Sequence, residues 1–173
     1  MATLLFVSPQ EIQQRGILGG NVDVDKFNFI IEYVQVSVIE PMLGTELYDK
    51  IYDDYDNGSL TGDYLTLFED YIKPTLRHEA TGQYLILAQY TVSNAGVFKH
   101  APDNAEVVDP NEVKTVTEYY HAQAQTYIKR FDKWICKNML PEYKTCQDEV
   151  NAQNINVQSG WYFGKQYGKD KQW

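Results

Sequence analysis

Side-chain chemistry needs acids, bases or soft ligands at matched spacing, so the histidines, cysteines and acid clusters are the first residues to test. His78, His100 and His121 lie far apart in the chain. His78-Glu79 is followed by Ala80, Thr81 and Gly82, so the HExxH pattern that sets two imidazoles on one helix face is missing. Cys136 and Cys146 stand ten apart with no histidine between them, which is not zinc-ligand spacing. The run Asp53-Asp54-Tyr55-Asp56-Asn57-Gly58 invites comparison with a calcium loop. Placing Gly58 sixth puts Asp53 first and Asn57 fifth, but Tyr55 falls third and Tyr64 twelfth, where an oxygen ligand and a bidentate glutamate belong. The run reads as an acidic turn between helices. No GxSxG is present, and Gly19-Gly20 has neither the lysine nor the strand context of a phosphate cradle. Asn57-Gly58-Ser59 fits a glycosylation acceptor, which matters only in a secreted chain. Tyr119-Tyr120-His121 reads as helix surface and core. These residues predict no enzyme, no cofactor and no metal. Whatever the chain does, it does through surfaces.

Composition agrees. At 173 residues with 43% hydrophobic side chains, the chain has the size and apolar content of one domain with its own core. A net charge of −9 opposes wrapping nucleic acid, which wants clustered lysine and arginine. The charge is uneven: residues 151–173 carry Lys165, Lys169 and Lys171 against Asp170, a net of +2, so the rest of the chain carries −11. Fourteen tyrosines suit positions that are half buried and half wet, at interfaces or along a core edge. MATLLFVSPQ has no basic start and too short an apolar run for a signal peptide, and no stretch has the length of a membrane span. A reducing birthplace with Cys136 and Cys146 as free thiols is the expectation.

The elements follow from periodicity. Residues 3–7 form a short strand or an apolar arm, and Ser8-Pro9 starts a short helix that Gly16 ends. Phe27, Ile30, Ile31, Val34, Val38 and Met42 recur at three- and four-residue steps and share one helical face. Pro41 kinks or ends that helix, Gly44 supplies a left-handed cap, and Thr45 caps a second helix through Leu47, Ile51 and Tyr55. Thr61 or Asp63 opens a helix with Leu65, Phe68 and Ile72. Lys73-Pro74 breaks it and starts a long one through Leu76, Ala80, Tyr84, Leu85, Ala88 and Val92, which Ser93-Asn94-Ala95-Gly96 stops. Residues 97–108, with Pro102-Asp103-Asn104 at their centre, read as a turn or β-hairpin whose Val97, Phe98 and Lys99 form a candidate contact loop. Asp109-Pro110-Asn111-Glu112 opens the last helix, through Val113, Val116, Tyr120, Ala124, Tyr127, Phe131 and Ile135, and Pro141 ends it. Long helices are thus expected near 24–40, 74–94 and 110–139.

The expected fold is mainly α: a helical bundle over 1–150 with one short projecting β-hairpin or loop, and an extended aromatic, basic tail over 151–173. Trp161, Tyr162, Phe163, Tyr167 and Trp173, with Lys165 among them, are partner-binding candidates, because aromatics in such numbers gain little unless they find a pocket.

Three phrases carry a resemblance: residues 17–51 (ILGGNVDVDKFNFIIEYVQVSVIEPMLGTELYDKI), 71–85 (YIKPTLRHEATGQYL) and 91–99 (TVSNAGVFK). With the long helix from Asp109, they resemble head–tail connector (neck adaptor) proteins of tailed bacteriophages, most closely those of crAss-like and other Bacteroidetes-infecting phages. The likeness covers roughly 17–140 and consists of packing and turn patterns; the tail lies outside it. It implies a virion structural protein at the neck, synthesised in the host cytoplasm and without enzymatic activity. Its copies would form a homo-oligomeric ring, dodecameric by the resemblance, under the portal protein. The ring would extend the DNA channel towards the next neck or tail ring, and genomic DNA would pass through without specific binding. An acidic body suits such a channel, since like charges repel. The alternative from the residues alone is an intracellular helical protein-binding module with a partner-docking tail. An enzyme built from scattered carboxylates is the third reading.

Overall fold

A computed structural model describes residues 4–16, 18, 24–88, 90–93, 96–99 and 109–144, with 90–93, 96–99 and 110 described at the backbone alone. The chain divides into a unit Met1–Tyr143 and a unit Lys144–Trp173, of which Lys144 alone is described. The fold is mainly α, with five helices and one hairpin among the described residues.

Helix α1 is Pro9–Arg15, opened as the sequence suggests: Ser8 Oγ accepts from the Glu11 N–H and Pro9 sits where its missing N–H costs nothing. Helix α2 runs through three pieces without a break: Val24–Val34, a π-helical turn Gln35–Ile39, and Glu40–Leu43. Helix α3 is Thr45–Asp56. Helix α4 repeats the device of α2: Gly62–Leu67, a π-helical turn Phe68–Ile72, then Lys73–Leu87. Helix α5 is Pro110–Asn138, 29 residues, or about 43 Å at the usual rise.

The two π turns correct the expected breaks at proline. In an α-helix a proline ring crowds the carbonyl four residues back and donates no hydrogen bond to it. Here the Glu40 N–H bonds to the Gln35 carbonyl and the Lys73 N–H to the Phe68 carbonyl, five residues back in each case. Each wide turn ends just ahead of its proline, in Ile39-Glu40-Pro41 and Ile72-Lys73-Pro74. The helix takes in the proline by widening and continues. A π turn also inserts one residue into the helical register. Beyond it the buried row of α2 passes from Phe27, Ile31 and Val34 to Ile39 and Leu43, all fully buried. Val38 and Met42, the expected continuation, are only partly buried. In α4 Phe68 and Ile72 are buried as expected, whereas ahead of the π turn Leu67 is buried and Leu65 is exposed.

Gly44 has φ 76° and ψ 151°, a region open essentially to glycine, so the corner is real although not a left-handed helical cap. The Thr45 hydroxyl makes no cap; it is directed to Glu40 Oε1 at 3.4 Å. Asp109 caps α5 by accepting from the Asn111 N–H at 2.7 Å through its side chain, while its carbonyl accepts from Glu112. The C-terminal cap of α5 is Met139, with φ 23°.

Residues 4–7 are an arm, not a strand. Gln35, fully buried inside the first π turn, accepts from the Phe6 N–H at 2.8 Å and donates to the Leu4 carbonyl at 3.2 Å. Its amide satisfies two backbone groups that a neighbouring strand would otherwise serve. The Tyr52 hydroxyl accepts from the Leu4 N–H. Thus anchored, Phe6 becomes the centre of an aromatic cluster with Tyr48, Tyr52, Tyr55 and Phe68. Among the described residues, one core joins these rings to the buried rows of α2, α3 and α4 and to Phe131 and Ile135 of α5.

Helices α4 and α5 pack closely where Gly82 faces Tyr120 and His121; a Cβ there would stand 3.3 Å from each side chain. At the other end, Tyr71 packs against Trp134, and the Tyr64 hydroxyl donates to Glu142 Oε2 at 2.7 Å.

The hairpin sits earlier than the sequence reading placed it. Helix α4 ends at Leu87, and β1 (Tyr90–Ser93) pairs antiparallel with β2 (Gly96–Lys99) in the register Tyr90 to Lys99 and Val92 to Val97. Val92 belongs to a strand, and Ser93 and Gly96 are paired across the hairpin instead of ending a helix. Pro102-Asp103-Asn104 lies outside the described residues.

Candidate functional site

Where α1, α4 and α5 meet, a cleft of about 350 Å³ opens, lined by Ile12, Arg15, Gly16, Arg77, His78, Thr81, Tyr119 and Tyr120. Arg77 is held by Glu11 through a 3.3 Å contact between Nη1 and Oε1. Arg15, the last residue of α1, is exposed at the rim. The His78 ring stacks on Tyr127, with ring centres 5.5 Å apart, and lies 6.0 Å from Tyr120. Burial, helped by the Arg77 charge, pulls its pKa below the ordinary histidine value, so His78 favours the neutral form. The Thr81 hydroxyl is committed to the Arg77 carbonyl at 2.8 Å. Two guanidinium groups beside tyrosine rings can hold a carboxylate or phosphate group against an aromatic wall.

Next to the cleft, Glu79 accepts from Gln83 at 3.2 Å and faces His121 Nδ1 at 2.8 Å. This pair ties α4 to α5 beside the Gly82 close approach, in which His121 itself takes part. The Thr117 hydroxyl, one turn before His121, is buried without a hydrogen-bond partner. Among the described residues no three His, Cys, Asp or Glu side chains converge as metal ligands, and no helix is long and apolar enough to cross a membrane. Cys136 is an exposed free thiol; Cys146 lies outside the described residues.

Of the residues singled out from sequence, Val97, Phe98 and Lys99 form β2, opposite Val92, Thr91 and Tyr90. Trp161, Tyr162, Phe163, Lys165, Tyr167 and Trp173 lie outside the described residues. Sequence reasoning missed the cleft, because Arg15, Arg77 and Tyr119 come from three separate helices. It also missed a row of exposed large side chains on α2, namely Phe29, Tyr33 and Val36. Their spacing of four and three was legible, but the sequence reading followed only the face of Phe27, Ile30, Ile31 and Val34, which is the buried one.

The described domain is mainly α, and described polar groups secure helix ends and helix contacts. The model of DUF6712, a family of unknown function, matches residues 39–152, and the chain belongs to that family. No curated protein and no solved structure matches it. The matched span begins at the end of the first π turn and takes in α3, the second π turn, the hairpin and α5.

Proposed function

We propose that this chain is a virion structural protein: a head–tail connector subunit whose copies form a ring under the portal vertex of a tailed phage. The ring continues the DNA channel and links capsid to tail. The observation that carries the reading is the exposed row Phe29, Tyr33 and Val36 on α2, in a stretch whose sequence resembles the opening of such connectors. Rows of large apolar side chains at the surface mark interaction sites. The acidic body supports the same reading, since a channel wall of like charge lets DNA slide without adhering. Native mass spectrometry and negative-stain microscopy of the purified chain, alone and with a portal protein, test the proposal. A ring, or a stoichiometric complex with the portal, is expected. A monomer under both conditions overturns it in favour of a simple binding module.

A further inference from the structure

Helix α2 has two apolar faces. Phe27, Ile30, Ile31 and Val34 are at most 1% exposed and form the core, while Phe29, Tyr33 and Val36 are 66%, 54% and 54% exposed. The second set stands one above another along the helix, four and three residues apart. It is therefore a separate stripe and not the fringe of the core. The polar residues flanking it are Asp25, Lys26, Glu32 and Glu40, three acids against one base. An occupant suited to this surface would bring aromatic side chains and positive charge. Residues 151–173 of the chain carry both, with five aromatics spread from Trp161 to Trp173 and a net of +2.

We infer that the α2 stripe is the seat for the Trp161–Trp173 segment of a neighbouring copy. This assignment rests on the ring reading, because a tail seated on a different patch of the next subunit is a head-to-tail contact, the kind that closes into rings. Reach is available: residues 145–160 separate the last described residue from Trp161, and an extended chain of that length spans roughly 55 Å. Scale fits as well. Three side chains of this size, a little over half exposed, offer on the order of 300 Å², well under the ~800 Å² per partner of a stand-alone complex. Such a seat holds a short anchored segment and gains strength by repetition around a closed ring. Aromatic anchors supply most of the hold, and the lysines favour encounter with the acidic flank.

The experiment uses the full chain with Cys136→Ser and Cys146→Ser as background. One preparation carries Tyr33→Cys; the second carries Trp161→Cys, Phe163→Cys or Tyr167→Cys in turn. The two are mixed and mildly oxidised. A disulfide-linked heterodimer, stronger than either homodimer, is expected for at least one pairing. No heterodimer in any pairing overturns the inference. A Tyr33→Cys/Phe163→Cys double variant that closes only within one chain overturns it too, placing the segment on its own helix. Assembly separates this inference from the ring reading. If wild type forms rings and the Phe29→Ser/Tyr33→Ser/Val36→Ser variant does so equally, the seat is wrong and the ring stands. If wild type forms no ring with or without portal, the ring reading falls by itself.

Discussion

At the scale of single residues, the molecule depends on a few positions where backbone geometry leaves no choice. Gly44 is the clearest. Its φ of 76° with ψ of 151° lets α2 stop and α3 start at once, so that Leu43 and Leu47 both enter the core. Any Cβ there is strained, and a β-branched one most of all. Gly44→Val is expected to cost about 1–3 kcal/mol, read as a fall of several degrees in melting temperature; an unchanged Tm would show that the corner tolerates a side chain. Tyr64 offers a test by pH. Its hydrogen bond to Glu142, with lesser help from burial, pushes its pKa up to about 12. The folded state therefore holds this proton more tightly than the unfolded chain does. The stabilisation is fully present below the ordinary tyrosine value of 10.0 and is lost as pH rises through about 12. In a tyrosinate absorbance titration, Glu142→Gln is expected to move one tyrosine to lower pH than in wild type. Superimposable titrations would mean that Tyr64 and Glu142 are not paired in solution.

At the scale of elements, the paired π turns ahead of Pro41 and Pro74 account for the register of both core helices. Each adds one residue that an unbroken α-helix could not accommodate, and each spares the following proline its clash. The two effects can be separated. Deleting Ser37 from the first π turn returns α2 to ordinary helical spacing and keeps Ile39 and Leu43 on the buried side. It then sets Pro41 against an α-helical carbonyl, at a cost of ~3 kcal/mol. Adding Pro41→Ala to the deletion is expected to recover most of that loss, whereas Pro41→Ala alone should change stability by less than about 1 kcal/mol. Denaturant unfolding of the four chains measures the coupling. Strict additivity would show that turn and proline are independent.

At the scale of the whole molecule, the buried set among the described residues runs from Phe6 to Leu140, and Tyr143 packs on Phe131. Removing residues 151–173 is therefore expected to leave circular dichroism and melting temperature close to wild type while abolishing ring or portal assembly. Loss of cooperative unfolding on truncation would place the segment within its own core. Normal assembly would remove it from the interface.

The sequence by itself determined whatever depends on local rules. Ser8-Pro9 and Asp109-Pro110 open helices because a cap oxygen and a proline at the first position act within one turn. The mainly α fold followed from apolar spacing, and Gly44 from the need for a sharp corner between two helical patterns. Tertiary structure decided what local rules leave degenerate. Prolines 41 and 74 read as breaks because a helix can also widen, and only the core reveals which residue the widened turn must bury. Gln35 carries no signal of its own in the sequence; its role exists only once the arm at Leu4 and Phe6 lies against it. The strand Tyr90–Ser93 read as a helix end because its partner, Gly96–Lys99, stands beyond the helical window that periodicity scans. The cleft and the α2 stripe were decided last and furthest from sequence, since a surface exists only after the packed helices have chosen which faces to hide.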